Sequence, residues 1–164
     1  MSIVYRWPER KARGEQLEQA LKPMLHWRGW NVEKFGVEAR RSAVTGAVCG
    51  SSALLLRREF DLLAWRGPAT VMIDAKSAMR PDAVRRYVES DAARAGISFV
   101  AMNGWSFVFI FNDFTVVNVG DLFSPGTPSP FDVDFITVEK RHLRSVNEVF
   151  GMPDLGAVRA REAA

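Results

Sequence analysis

Cysteine is nearly absent from this 164-residue chain. Cys49 stands alone, so neither an intrachain disulfide nor any Cys-based zinc site can form. Histidine is almost as scarce, and His26 and His142 are too far apart in sequence to suggest a cluster. No long hydrophobic run exists either. The longest, Phe107-Val108-Phe109-Ile110-Phe111, is far short of the ~20 apolar residues a membrane helix needs. The opening stretch from Met1 to Lys11 carries Arg6, Glu9 and Arg10 where a signal peptide would need an apolar core. These absences argue against secretion, membrane insertion and structural zinc. The expectation is a soluble cytoplasmic protein.

What is present suits one ordinary domain. With 48% hydrophobic and 25% charged residues the chain can bury a core and need not be disordered. The expected organisation is a single domain over residues 1–150 followed by a flexible tail over 151–164. Charge is uneven along it. Residues 1–60 carry eleven Lys/Arg against six Asp/Glu, and the remainder eleven against thirteen. The basic groups cluster as Arg10-Lys11-x-Arg13, Arg40-Arg41 and Arg57-Arg58, as a polyanion partner would require, although a solvated face explains them equally well. Arginine supplies 17 of the 22 basic residues, so each lysine is the rarer choice.

Leu17, Ala20, Leu21, Met24 and Leu25 form one stripe at helical spacing, which predicts a helix over 14–29, ended by Gly29 and kinked by Pro23. A strand follows over 30–37, then a long Ala/Gly/Ser-rich loop over 38–52. Strands over 60–65 and 70–76 flank the turn Arg66-Gly67-Pro68 and make a hairpin. Pro81 opens a predicted helix with the stripe Val84, Tyr87, Val88, Ala92 and Ala95, closed by Gly96. Strands over 97–102, 105–111 and 115–119 are apolar on both faces, as in a covered sheet. A Pro-rich loop over 124–130, a strand over 133–138 and a helix over 141–150 complete a mixed α/β layer fold.

Two acids demand explanation. Asp61 interrupts one apolar strand and Asp74 ends the next, so pairing through the turn brings both carboxylates to one end of the hairpin. Lys76, two positions beyond Asp74, points to the same face. Two carboxylates and an ammonium suit a hard divalent cation such as Mg²⁺. Lysine fits the role better than arginine, because it is a compact charge that can also lose its proton when desolvated. The competing reading is a strand-end ion pair. Glu18 borders the apolar stripe of the first helix while Glu15 faces away with Lys22, so Glu18 is a third acid that can lean toward the same place. The tryptophans Trp7, Trp27, Trp30, Trp65 and Trp105 read as core residues before base-stacking platforms.

An acid on a first helix, an acid on a strand and acid-x-Lys on the next strand resembles the PD-(D/E)xK nuclease superfamily. More narrowly, Arg13-Gly14-x-x-x-Glu18-x-x-Leu21, then Arg28-Gly29-Trp30-x-Val32, then Phe60-Asp61-Leu62-Leu63-Ala64 with Val71-Met72-Ile73-Asp74-Ala75-Lys76 is similar to the archaeal-type Holliday junction resolvases. The likeness spans about residues 10–111. It departs in the longer segment between the first two acids, in Asp74 where those resolvases usually carry Glu, and in Pro23.

The resemblance implies a restriction-endonuclease-like mixed β-sheet flanked by helices and a metal-dependent endodeoxyribonuclease active in DNA recombination and repair. It implies Asp61, Asp74 and the Ala75 carbonyl as ligands of Mg²⁺ or Mn²⁺, and Lys76 orienting or deprotonating water. Glu18 would hold a second metal or that water. The implied substrate is branched DNA and the implied assembly a homodimer. The other readings are a different nuclease on the same scaffold (end, flap or restriction type) or a non-catalytic nucleic-acid-binding module. Arg10, Lys11, Arg13, Arg40, Arg41, Arg57, Arg58, Arg85 and Arg86 are the candidate DNA contacts. For Arg85 and Arg86 the alternative is an exposed helical face with Tyr87 as its one core aromatic.

Arg40, Arg41, Arg57 and Arg58 bracket the long loop, and the strand bearing Asp61 begins just after them. Changing all four to alanine is expected to weaken DNA binding and flatten its salt dependence, each lost phosphate contact removing about 0.9 from the log–log slope. Titrations across a salt series measure this, and a wild-type slope and affinity would make the four plain surface charge.

Overall fold

The computed structural model describes residues 7–35, 60–76, 84–123 and 133–153, with side chains from Ala12 onward. Outside these lie the loop with Arg40, Arg41, Cys49, Arg57 and Arg58, the residue Pro81, the Pro-rich loop over 124–130, the end of the chain, and the side chains of Trp7, Arg10 and Lys11.

Helix α1 (Trp7–His26) is longer than its apolar stripe suggested, because Pro8 is tolerated in a first turn, where its missing N–H would be unsatisfied anyway. Pro23 lies in the last turns and the helix continues to His26. Gly29, at φ 77°, closes it: the Trp30 N–H donates to the Leu25 carbonyl and the Gly29 N–H to that of His26. Leu17, Leu21 and Leu25 are buried as the stripe predicts.

Strands β1 (Asn31–Lys34), β2 (Leu62–Arg66) and β3 (Ala69–Lys76) run antiparallel in that order. The β2–β3 hairpin turns on Gly67 and Pro68, with Gly67 at φ 56°. On the far side of β3 lies β5 (Ser106–Phe111), parallel to it, then β6 (Thr115–Asn118) and the two-residue β8 (Arg144–Ser145), both antiparallel. This six-stranded mixed sheet is covered on both faces. Leu17, Leu21 and Leu25 of α1 pack on Ile73, Val108 and Ile110, joined by Val146 and Phe150. The opposite face carries Leu63, Met72, Phe107 and Phe109 against Val88, Ala92 and Phe99. Among the described residues no helix is long and apolar enough to cross a membrane.

The middle of the chain differs from expectation. Residues 85–89 form strand β4 (Arg85–Glu89), paired antiparallel with β7 (Phe135–Glu139) in a separate two-stranded ribbon. The helix starts only afterwards, as α2 (Ser90–Asn103), and absorbs the stretch predicted as a strand over 97–102. Gly96 does not end it; a Cβ there would meet Val119 at 3.0 Å and Phe107 at 3.1 Å, so the glycine lets α2 approach the sheet. The terminator is Gly104, at φ 68°, whose N–H donates to the Val100 carbonyl.

In β4 the inward positions are Arg86 and Val88, while Tyr87 is half-exposed rather than core. Arg86 therefore lies on no exposed helical face. Its side chain is fully buried and donates to Asp113 at 2.6 Å, beside Lys140 at 3.1 Å and the Thr115 hydroxyl at 2.6 Å. The predicted C-terminal helix is confined to α3 (Val146–Phe150), begun by a reciprocal cap between Ser145 and Glu148. A 3₁₀ turn (Lys140–His142) and β8 take up the residues before it.

Replacing Arg86 by alanine would remove one of the two cations on Asp113, leaving Lys140 and Thr115 to meet its charge. It is expected to cost about 1.5–3 kcal/mol of stability, the range of hydrogen bonds to charged groups. Urea denaturation measures the loss, and a cost below about 1 kcal/mol, the scale of exposed pairs, would show that the contact behaves like a surface ion pair.

Candidate active site at the open end of the hairpin

Asp61 immediately precedes β2, and its backbone extends the hairpin: its N–H donates to the Ile73 carbonyl and its carbonyl accepts from Phe35. Leu62 pairs with Ile73, and the Asp61 N–H reaches the carbonyl of that same residue, so two residues of this strand meet one of β3 and the regular ladder ends in a bulge at Asp61. Asp61 is thereby set at the end of the hairpin next to Asp74 and Ala75. Asp74 is buried beside Phe109 of β5, its parallel partner.

The two carboxylates are held by different means. The Ala75 N–H donates to Asp61 Oδ2 at 2.6 Å. The Lys76 ammonium lies 3.1 Å from Asp74 Oδ2 and 3.0 Å from Glu89 Oε2, and 5.9 Å from the centre of the Phe109 ring. The strand-end ion pair weighed from sequence is thus present, but it is buried and has two acids around one lysine.

Burial dominates the electrostatics. It pushes the Asp61 carboxyl up to about 8, assisted by the neighbouring Asp74 charge and opposed by the Ala75 hydrogen bond. Burial raises Asp74 as well, against the pull of Lys76. For Lys76 burial acts downward, but Asp74 and Glu89 outweigh it and hold the amine above its usual value. The two acids thus favour the ammonium form of Lys76.

Glu18 approaches from the other side. It sits on α1, its carboxyl raised by burial and drawn back by Lys34 at 3.7 Å. It is near enough for its charge to add to the upward shift of Asp61. It does not complete a triad of acids: among the described residues no group of three or more His, Cys, Asp or Glu is gathered to hold a metal. The acids that could hold a metal here are therefore Asp61 and Asp74, with the Ala75 backbone next to Asp74. Two carboxylates are within the usual complement for Mg²⁺, which keeps several waters.

Arg13 and Arg85 are exposed, whereas Arg86 is committed to Asp113. Of the tryptophans, Trp30 is buried and donates to the Phe150 carbonyl at 2.9 Å. Trp65 and Trp105 are partly buried against the core, but Trp27 is half-exposed and is no core residue. Sequence reasoning missed Glu89. Its only signal was an acid closing the alternating run Arg85-Arg86-Tyr87-Val88, legible only once that run is taken as a strand.

No family model and no curated protein matches this sequence. Among solved structures the chain is similar to Hjc of Archaeoglobus fulgidus, a Holliday junction resolvase from an archaeal hyperthermophile, with a TM-score of 0.53 at 14% identity. The match covers 85% of this chain and 96% of Hjc. The likeness is one of fold. It agrees with the mixed sheet flanked by helices that the sequence led us to expect.

The raised Asp61 carboxyl has a consequence for stability. The folded protein keeps a proton there up to about pH 8, whereas an unfolded chain releases it near the ordinary value of 3.8, so this group's contribution falls as pH rises between the two. In EDTA, Asp61→Asn is expected to lessen that decline and to melt several degrees above wild type at pH 8.5. Thermal melts across the pH range test this, and a variant no more stable than wild type at pH 8.5 would remove the buried-carboxyl account.

Proposed function

We propose that this protein is a metal-dependent endonuclease that hydrolyses phosphodiester bonds in DNA, of the Holliday junction resolvase kind. The observation that carries the reading is the adjacency of two carboxylates withdrawn from water, buried Asp74 and partly buried Asp61, whose mutual repulsion is met, among the described residues, by the one ammonium of Lys76. Such a pair favours whatever brings positive charge to it, and a divalent cation brings more than a proton does. The site fits the ion: Asp61 and Asp74 would hold it, with the Ala75 carbonyl adjacent. When bound, a divalent cation there lowers the pKa of water and neutralises charge on phosphoryl oxygens.

The remaining roles belong to the chain's own groups. Lys76, held as an ammonium on the same face as Asp74, is suited to donate to a phosphoryl oxygen or to orient the attacking water. Water adds to phosphorus, the P–O bond to the leaving oxygen breaks, one water proton ends on that oxygen to give the alcohol, and the other passes to solvent. Glu18 adds negative charge near Asp61 without competing for the cation, since Lys34 occupies its carboxylate. Exposed Arg13 and Arg85, with Arg10, Lys11 and the four arginines around the long loop, are the proposed phosphate contacts. Likeness of fold to Hjc supports branched DNA as the substrate, and cutting both strands symmetrically calls for a homodimer.

Digestion of matched four-way junction, flap and linear duplex with Mg²⁺ or EDTA tests the reading. The junction is expected to be cut in paired strands with Mg²⁺ and left intact with EDTA. Preference for a flap or a duplex end would assign another nuclease on this fold, and no metal-dependent cleavage of any substrate would overturn catalysis altogether. Asp74→Asn is expected to lower cleavage by about a hundredfold or more, the loss of several kcal/mol of metal-assisted stabilisation. DNA affinity should be kept or improved, because a charge that repels phosphate is gone. Equal cleavage by wild type and variant would exclude Asp74.

A further inference from the structure

We propose that Glu89 is a positioning residue of this site, holding the Lys76 ammonium in place against Asp74. The inference rests on the nuclease reading of the site and adds a residue to it. Lys76 carries its charge on a flexible four-carbon stem, and a single carboxylate partner would leave the amine free to swing about it. Here it is bracketed. Asp74 Oδ2 lies at 3.1 Å, Glu89 Oε2 at 3.0 Å, and the ring of Phe109 at 5.9 Å. Three elements thus fix one amine: β3 through Asp74, β5 through Phe109, and β4 through Glu89.

Glu89 differs from the other two in belonging to the separate ribbon. It is the last residue of β4, paired opposite Phe135 of β7, and α2 starts at the next residue. Its position is set by the ribbon and not by the six-stranded sheet. Three residues back, on the inward face, Arg86 ties the same strand to Asp113 in the turn after β5. The ribbon therefore has one buried ionic contact to the main sheet at Arg86 and a second at Glu89. The second fixes where Lys76 points.

The test uses the full chain with Glu89→Ala, Glu89→Asp and Glu89→Gln, each verified as folded by circular dichroism. Gln keeps the length and an acceptor oxygen for the ammonium, whereas Asp keeps the charge but is one methylene short. Two measurements are made. One is the rate at which Lys76 is methylated by formaldehyde and a reductant, read from the mass of its peptide. The other is single-turnover cleavage of a four-way junction with Mg²⁺, beside junction affinity with Ca²⁺. Misplacement of a reacting group by about 1 Å can cost up to a hundredfold, so Ala and Asp are expected to lower the cleavage rate roughly tenfold or more with affinity within about twofold. Lys76 should be methylated about fivefold faster in both, and Gln should restore both readouts to within about threefold of wild type, as one retained hydrogen bond predicts.

Wild-type methylation of Lys76 in Glu89→Ala would overturn the proposal whatever the cleavage rate. So would loss of cleavage in Gln equal to that in Ala, which would assign Glu89 a role through its charge. If wild type cut no DNA while Lys76 reactivity followed the expected order, the positioning contact would stand and the nuclease reading would fall.

Discussion

Two carboxylates facing each other across a hairpin, away from water, constrain everything around them. Their placement depends on register, because a slip of one residue between β2 and β3 would carry Asp61 away from Asp74 and from the Ala75 N–H it accepts from. The slip is resisted at both ends. Gly67 and Pro68 close the turn in two residues, and the hydrophobic pattern must fit two different cores at once. Leu62 and Ile73 face Leu21 of α1, while Leu63 and Met72, beside Phe107 and Phe109, lie under Val88, Ala92 and Phe99. Covering the sheet on both sides therefore does more than stabilise it. It leaves one pairing in which Asp61 meets Asp74 at the end of the hairpin, with Lys76 beside Asp74.

The parallel pairing of β3 with β5 adds the remaining geometry. A parallel neighbour requires a crossover, and the chain between them supplies β4 and α2 over the face that carries Met72, Asp74 and Lys76. The close approach of α2 at Gly96 and the buried Arg86–Asp113 contact hold that crossover in place. Glu89 reaches Lys76 only because the segment before α2 is extended; a helix through residues 84–96 would have aimed its side chains elsewhere.

That segment is also where sequence and structure part. The hairpin, the apolar face of α1 and strands β5 and β6 were legible because each shows a local period with its turn residues in place. The run from Arg85 to Glu89 was not, because the inward position of its alternation is an arginine. A buried guanidinium is disguised as a surface residue until its partner is known, and Asp113 is 27 residues away. Val88 and Ala92 then mimic a helical stripe across what is really a strand–helix junction. Phe99 and Val100 lie in an apolar run too short to separate a buried strand from a helix. Glu89 was lost with them, since its partner Lys76 is also distant in sequence. Glu18 was placed correctly at the edge of its stripe, yet its partner is Lys34, which the alternation of β1 gave no reason to single out.

The two ionic clusters of the fold show what separates a structural acid from one available for chemistry. Burial alone would raise Asp113, but hydrogen bonds from Thr115, Arg86 and Lys140 outweigh it and hold its carboxyl far below the usual range. That acid is satisfied: two cations and a hydroxyl meet one carboxylate, and nothing further is needed. Around Lys76 the ratio among the described residues is reversed, with Asp61, Asp74 and Glu89 near a single ammonium and Glu18 adding its field to that at Asp61. Burial raises Asp61 here too, and the neighbouring Asp74 adds to the shift, so the available donors do not overcome it. An arrangement of this kind lowers stability as Asp61 ionises, whereas filling it with hydrophobic residues would not. Among the described residues, that excess of acid over positive charge, sited where two cores fix the geometry, is therefore the feature that folding alone does not account for.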